Sequence, residues 1–244
     1  MMRYYIAPDR WSADGMCLEG EEAHHLLHVL RGKVGDQITV MDGAGREAFT
    51  EVVEANRKEA RIQVIQQTQS PPPPVEITLI QALPREQRMD LILQKATEFG
   101  IRRIVPVVSD NAVVRIKPGE DAGKLERWNK IALSAAKQSG SLWLPEIQPV
   151  SGLLDYLTAM PRYDVWLTCS LEADTLPLKQ VIESAQANHP KSIAFLIGPE
   201  GDLSTREYAA ARNAGARMVS LGPRVLRSET AALYVLGVLH YEFG

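Results

Sequence analysis

Cysteine is nearly absent from this chain. Among 244 residues there are two, Cys17 and Cys169, and no C-x-x-C pair. That scarcity argues against a disulfide framework or a structural zinc site and fits a reducing compartment. Positive charge is not in excess either. The chain has 27 basic and 30 acidic residues, a net charge of −3 at pH 7. A strongly basic nucleic-acid binder has a different balance, although a local basic patch is compatible with this one. No apolar run approaches the roughly 20 residues of a membrane span. The opening MMRYYIAPDRW has no apolar core of a secretory signal. A cytoplasmic protein without a membrane partner is expected. There is no internal repeat, and the one low-complexity segment is a run of prolines.

That run, QSPPPPV at 69–75, contains four prolines. Proline donates no backbone hydrogen bond and stiffens an extended connector. It predicts a boundary, with domains at 1–70 and 75–244 and a linker at 71–74. Before it, DQITVMDG (36–43), EAFTEVVEA (47–55) and ARIQVIQQT (60–68) alternate apolar and polar residues, the pattern of strands. A short helix, EEAHHLLHVLR (21–31), interrupts them. A small β-barrel is predicted. It carries 8 basic and 11 acidic residues, so the net charge sits here.

After the prolines, strands and helices alternate. VEITLIQAL (75–83) reads as a buried strand. REQRMDLILQKATEFG (85–100) has apolar residues at helical spacing, with Gly100 as its C-terminal cap. Helix AGKLERWNKIALSAAKQSG (122–140) ends likewise at Gly140. Four further strands and three further helices follow in turn. Such alternation implies an α/β domain with a largely parallel sheet.

Two glycine turns in this domain invite a ligand. The strand IAFLIG runs into Gly198-Pro199-Glu200-Gly201, and a helix follows. No Lys and Ser/Thr follow Gly201 as in a phosphate-binding P-loop, and a third glycine for G-x-G-x-x-G is missing. Glu200 and Asp202 favour a neutral or cationic ligand over an anion. The second turn, LGPRVLRSETA at 221–231, again leads from strand to helix. Ligands of open α/β sheets bind at the carboxyl ends of the strands, so the turns are expected to form two walls of one pocket. Ser228 is a candidate cap of the last helix. Arg227 and Glu229 read either as a local ion pair or as site residues.

The pair FLIGPEG and LG-x-R-x-LR-x-ETA resembles the S-adenosylmethionine signature of the SPOUT methyltransferases. Within them the chain is similar to the family that methylates uridine N3 in small-subunit (16S) ribosomal RNA. The similarity extends through 21–45, 87–101, 127–140 and LPEI at 144–147. It implies a PUA-like RNA-binding N-terminal barrel and a methyltransferase domain with a trefoil knot over residues 193–244. It also implies a homodimer acting on ribosomal RNA or a ribosomal subunit, with no metal. The cofactor site it implies comprises Leu167, Thr168, Ile197, Gly198, Pro199, Gly201, Leu221, Gly222, Val225 and Leu226. Arg227 is the candidate for stabilising a uridine anion, and Glu200 for the base. Arg31, Arg88, Lys95, Arg115 and Arg224 are the candidate RNA contacts.

The chain departs from the family pattern at several points. Asp202 stands where GPEGG has its last glycine, and Lys137 stands where the family has Glu. Ser141, Leu142 and Trp143 occupy positions expected to be basic, and Asn111 lies where an Arg is expected. His24 and His28 have a metal-chelating spacing but no obvious third ligand, which favours a structural or RNA-facing role. Trp128 and Trp143 are candidates for base stacking, with the core as the alternative for Trp128. Three other functions remain open at this stage. One is a methyltransferase of the same fold acting on another RNA nucleotide. The second is a non-catalytic RNA-binding assembly factor. The third is a small-molecule α/β enzyme with no RNA partner, which the near-neutral charge supports and the PUA-like domain argues against.

Overall fold

The computed structural model describes residues 3–112 and 120–244. Arg115 and Lys117 lie outside the described residues. The chain divides into two compact units, 1–72 with 133–144, and 73–132 with 145–244. The first unit therefore takes in a stretch, 133–144, that is remote from it in sequence.

In the first unit, β1 (Arg3–Tyr5), β2 (Gly15–Glu19), β3 (Gln37–Met41), β4 (Arg46–Ala55) and β5 (Glu59–Gln69) form one sheet. Its order is β1-β3-β4-β5-β2. The two end strands do not pair with each other, so the expected barrel is an open half-barrel. Register shifts in the β4–β5 pairing, at Phe49/Thr50 and Val52/Glu54, bend the long hairpin. Its core is Tyr4, Ile6, Leu18, Val40, Val52 and Ile62, closed by Ala23 and Leu26. Those two come from α1 (Gly20–His24) and the π-helical turn His25–Val29 that continues it.

Residues 133–144 complete this unit through polar bonds. Lys137 Nζ meets both Glu22 oxygens at 2.7 and 2.9 Å. Trp143 Nε1 donates to the Pro71 carbonyl at 3.0 Å. A Cβ added to Gly45 would lie 2.6 Å from the Trp143 ring. Trp143, at one of the positions expected to be basic, is thus built into the half-barrel.

The second unit has β6 (Glu76–Ala82), α2 (Glu86–Glu98), β7 (Arg103–Val108), α3 (Glu120–Ser139, whose last turns belong to the first unit), β8 (Glu146–Ile147) and β9 (Ser151–Gly152). Next come α4 (Leu153–Ala159), β10 (Val165–Cys169), β11 (Leu176–Pro177), α5 (Leu178–Gln186) and β12 (Ser192–Ile197). The chain ends with α6 (Thr205–Asn213), β13 (Arg217–Ser220) and α7 (Ser228–Phe243). The strands form one sheet ordered β11-β13-β10-β12-β6-β7-β8, with β9 also on β7. Every pairing in it is parallel.

Both faces of this sheet are covered, as strand alternation requires. Leu79, Ile193 and Phe195 face a core with Met89, Ile92, Trp128, Val181 and Val235 from α2, α3, α5 and α7. Ile80, Ala194 and Leu196 face the other way, against Leu153, Leu157, Tyr208 and Ala211 from α4 and α6. Trp128 is 3% exposed, so it is core and does not stack on bases. Gly100 adopts φ +75 after α2, as a C-terminal cap does. No helix among the described residues is long and apolar enough to cross a membrane.

One buried carboxylate ties the sheet edge to its loops. Glu207, 1% exposed, sits in the first turn of α6. Its oxygens accept from Asp110 N at 2.8 Å, Ser109 Oγ at 3.1 Å and Ser204 N at 2.8 Å. Ser204 Oγ in return accepts from Glu207 N, a full capping box. Replacing Glu207 by Ala strands three donors, and each buried loss costs about 1–3 kcal/mol. Glu207→Ala should lower unfolding stability by about 3 kcal/mol or more in urea titration, and Glu207→Gln by less. A change under about 1 kcal/mol for Ala would refute this role.

Candidate active site

Three turns at the carboxyl ends of neighbouring strands enclose a cavity of about 340 Å³. They are Cys169–Leu171 after β10, 198–200 after β12, and 220–222 after β13, with α7 behind them. Of the residues singled out in sequence, Ile197, Gly198, Pro199, Leu221, Gly222, Val225 and Leu226 line it, together with Glu200, Arg88, Arg224 and Arg227.

The others lie elsewhere. Leu167 and Thr168 are fully buried within β10, one step behind the wall. Gly201 faces away, where an added Cβ would meet the Asn111 carbonyl at 3.1 Å. Lys95 is held by Glu98 at 2.9 Å on α2. Arg31 belongs to the first unit. Cys169, Ser170, Leu171 and Ser220 line the cavity without having been read from sequence. Glycine turns advertise themselves, whereas a serine at a strand end carries no such mark. Burial pushes the Cys169 thiol up to about 12, so it stays a neutral thiol rather than a nucleophile.

The two glycine turns are joined underneath. Gln81, fully buried at the end of β6, donates to Ser228 Oγ at 2.9 Å. Ser228 Oγ in turn donates to the Gly198 carbonyl at 2.9 Å. The expected capping role of Ser228 is therefore corrected. It is the first residue of α7 and not its cap, and its hydroxyl is spent across the site.

The charges also differ from expectation. Glu229 does not pair with Arg227. Its Oε1 lies 3.6 Å from Arg88 Nε, and Arg88 Nη1 meets Glu200 Oε1 at 2.7 Å. One guanidinium from α2 thus spans both walls. Among the described residues, Arg224 and Arg227 have no carboxylate within ion-pair distance. Three arginines face the cavity against Glu200 and Asp202. Of the two acidic groups of the first loop, Glu200 is ion-paired with Arg88.

Asp202 explains its own departure from the glycine pattern. Its φ is +61, the left-handed region. Asp and Asn tolerate that region better than other residues with side chains. The carboxylate also accepts from Tyr208 Oη at 2.7 Å. Tyr208 Oη itself accepts from Leu171 N at 3.4 Å, which links two cavity walls. Burial, and then this bond to Asp202, raise the Tyr208 pKa.

A family model described as an RNA methyltransferase domain matches residues 71–240. The chain belongs to this RNA methyltransferase family. A second model, an RNA methyltransferase PUA domain, matches residues 18–65. The ribosomal RNA small subunit methyltransferase E of Bacillus subtilis is 30% identical, over 99% of this chain and 97% of its own. The enzyme of that name from Neisseria gonorrhoeae, solved bound to S-adenosyl methionine, superposes with a TM-score of 0.88. It is 31% identical over 100% of this methyltransferase and 98% of that chain. A Legionella pneumophila methyltransferase solved with bound SAM gives 0.87 at 28% identity, covering 98% and 97%.

Asp202 gives the site its first test. Asp202→Ala removes the Tyr208 bond and leaves a residue that disfavours positive φ, a loss of about 2 kcal/mol. Asp202→Gly loses the bond but relaxes the backbone, a loss of about 1 kcal/mol. Thermal unfolding should therefore rank Gly above Ala, and the reverse order would refute the strain argument.

Proposed function

We propose that this chain transfers a methyl group from S-adenosylmethionine to N3 of a uridine in small-subunit (16S) ribosomal RNA. The observation that carries the reading is the cavity formed by two glycine turns, joined through Ser228 and faced by Arg227, which has no ion-pair partner among the described residues. The cavity volume of about 340 Å³ suits a small cofactor. Leu221, Val225 and Leu226 give it apolar surface for an adenine ring. Backbone at 197–199 and 220–222 offers polar groups without charge.

Bound S-adenosylmethionine supplies an electrophilic methyl group on a sulfonium, and that electrophile needs little further activation. The chain holds the reactants in line, which is positional catalysis. Uridine N3 carries a proton that must leave as the N–C bond forms. Glu200 accepts that proton, and Arg227 stabilises the negative charge spread over the uracil carbonyl oxygens. Arg88 has two carboxylates to hold and acts by orienting Glu200. That role replaces the direct RNA contact expected of it.

The same reading includes a knot and a dimer. The pairing of β13 with both β10 and β11, strands that precede it, supports knotted threading of 193–244. Exposed Val225 (76%), Leu171 (59%) and Leu176 (45%) give an apolar surface for a second copy. A ribosomal substrate places the enzyme in the cytoplasm.

Arg227→Ala should cut methyl transfer by about 100-fold or more, with cofactor affinity by calorimetry changed less than about 3-fold. Glu200→Gln should cut the rate by about 100-fold, again with cofactor affinity changed less than about 3-fold. Methylated-nucleotide mapping in ribosomal RNA of a deletion strain identifies the target. A missing mark other than N3-methyluridine would sink the assignment of the atom. Cofactor binding without any transfer would favour an assembly factor.

A further inference from the structure

Two of the positions that set this chain apart from the family pattern, Asn111 and Asp202, are brought together by the fold. Asn111 Nδ2 donates to the Asp202 carbonyl at 3.1 Å and to the Gly201 carbonyl at 3.3 Å. A carbonyl oxygen only accepts, so the amide nitrogen is the end that faces them, and its two hydrogens are spent there. The residue that stands in for the expected arginine therefore has a task inside the domain.

The task concerns one turn. Asp202 N donates to the Pro199 carbonyl at 3.1 Å and closes residues 199–202 as a β-turn, with Glu200 and Gly201 at its tip. Ser228 Oγ holds the near end of the turn through the Gly198 carbonyl at 2.9 Å. Asn111 holds the far end, and the Asp202 carboxylate on Tyr208 Oη adds a further hold at 2.7 Å. The two segments touch closely. A Cβ added to Gly201 would lie 3.1 Å from the Asn111 carbonyl oxygen and 3.2 Å from the Asn111 Cβ. Asn111 is itself firmly mounted. Ala112 N donates to the Ser109 carbonyl at 3.1 Å, and the Ser109 hydroxyl and Asp110 N both bind the buried Glu207 carboxylate.

We propose that Asn111 is a positioning residue for methyl transfer, whose amide clamps the turn at 199–202 and so sets where the Glu200 carboxylate stands. The inference rests on the role given to Glu200 above. Arg88 grips the tip of that carboxylate at 2.7 Å, but a guanidinium on a long side chain follows its partner. The turn decides where the backbone of Glu200 lies. A base must come within hydrogen-bond reach of the proton it takes. Misplacement by about 1 Å costs up to about 100-fold in rate. Losing one hold among several shifts the turn by less, so about 10-fold is expected.

The test joins hydrogen exchange to kinetics on the full chain. In Asn111→Ala the Asp202 amide, read by mass spectrometry on segment 199–203, should exchange about 10-fold faster, and β10 should keep its wild-type rate. Single-turnover transfer to small ribosomal subunits from a deletion strain should fall about 10-fold, with cofactor affinity changed less than about 3-fold. Calorimetric stoichiometry counts the competent sites, so a misfolded fraction cannot pass for a slow step. Asn111→Asp keeps the shape but turns an oxygen toward the two carbonyls, and should do no better than Ala. In a Glu200→Gln background Asn111→Ala should slow transfer by less than about 2-fold more, because it acts through Glu200.

Wild-type exchange at Asp202 in the Ala variant would overturn the clamp. Faster exchange with an unchanged rate would overturn the positioning role, and so would wild-type behaviour of Asn111→Asp. A full further 10-fold loss in the Glu200→Gln background would overturn action through Glu200 (about 10-fold being the single-variant effect). Failure of the function itself looks different. A wild-type protein that transfers no methyl refutes the reading and the positioning role together, and exchange at Asp202 then decides whether the clamp stands as a structural bond. Glu200→Gln as fast as wild type removes the base, whatever Asn111 does.

Discussion

The Glu207 carboxylate lies where three pieces of chain must agree. It is buried, and a buried charge is tolerated only when donors converge on it. The donors come from the end of β7 and from the residue that caps α6. Their convergence fixes where the loop after β12 begins and ends. That loop carries Glu200 and Asp202, and Tyr208, one residue further along, reaches back to Asp202 and across to Leu171. The shape of the cavity therefore descends from one satisfied anion outside its lining. The outward-facing Asp110 carboxylate joins the same assembly. The Arg206 guanidinium, and then Ser204 Oγ at 2.6 Å, hold its pKa down to about 2.

Much of the fold was legible because apolar spacing is a local property. The β6 to α2 pattern, the helix ending at Gly140 and the glycine-bounded strands all appear close to their expected places. Six elements escaped notice: β1, β2, α4 and the two-residue strands β8, β9 and β11. Strand β1 has three residues, too few to show a period, and β2 (GMCLE) carries its alternation over only five. Helix α4 has seven residues and buries only Leu153 and Leu157. Long-range arrangement left no local trace. Nothing in the sequence around 217–220 says that β13 slots between β10 and β11. Nothing in 133–144 says that the end of a helix in the second unit completes the first.

The site was legible to the extent that it is made of glycine and proline. Those residues mark turns wherever they fall, and the family resemblance supplied the ligand. What escaped was partner choice among charges. Arg227 stands next but one to Glu229 in sequence, yet Glu229 turns to Arg88. A guanidinium from α2 reaches both loops because α2 packs directly on α7, and that packing is a tertiary fact. Lys137 likewise looked like a departure on the RNA side until Glu22 was seen opposite it.

The Gln81–Ser228–Gly198 chain has a kinetic consequence. Because hydrogen bonds below the floor join the two walls, the walls cannot part without breaking buried bonds, which is expensive. A ligand must enter through the mouth rather than by hinged opening of the turns. Such a site has its shape before it is filled, so little ordering entropy is lost on arrival. Association is then governed by diffusion to the mouth, and differences in affinity among variants are carried by how long the ligand stays.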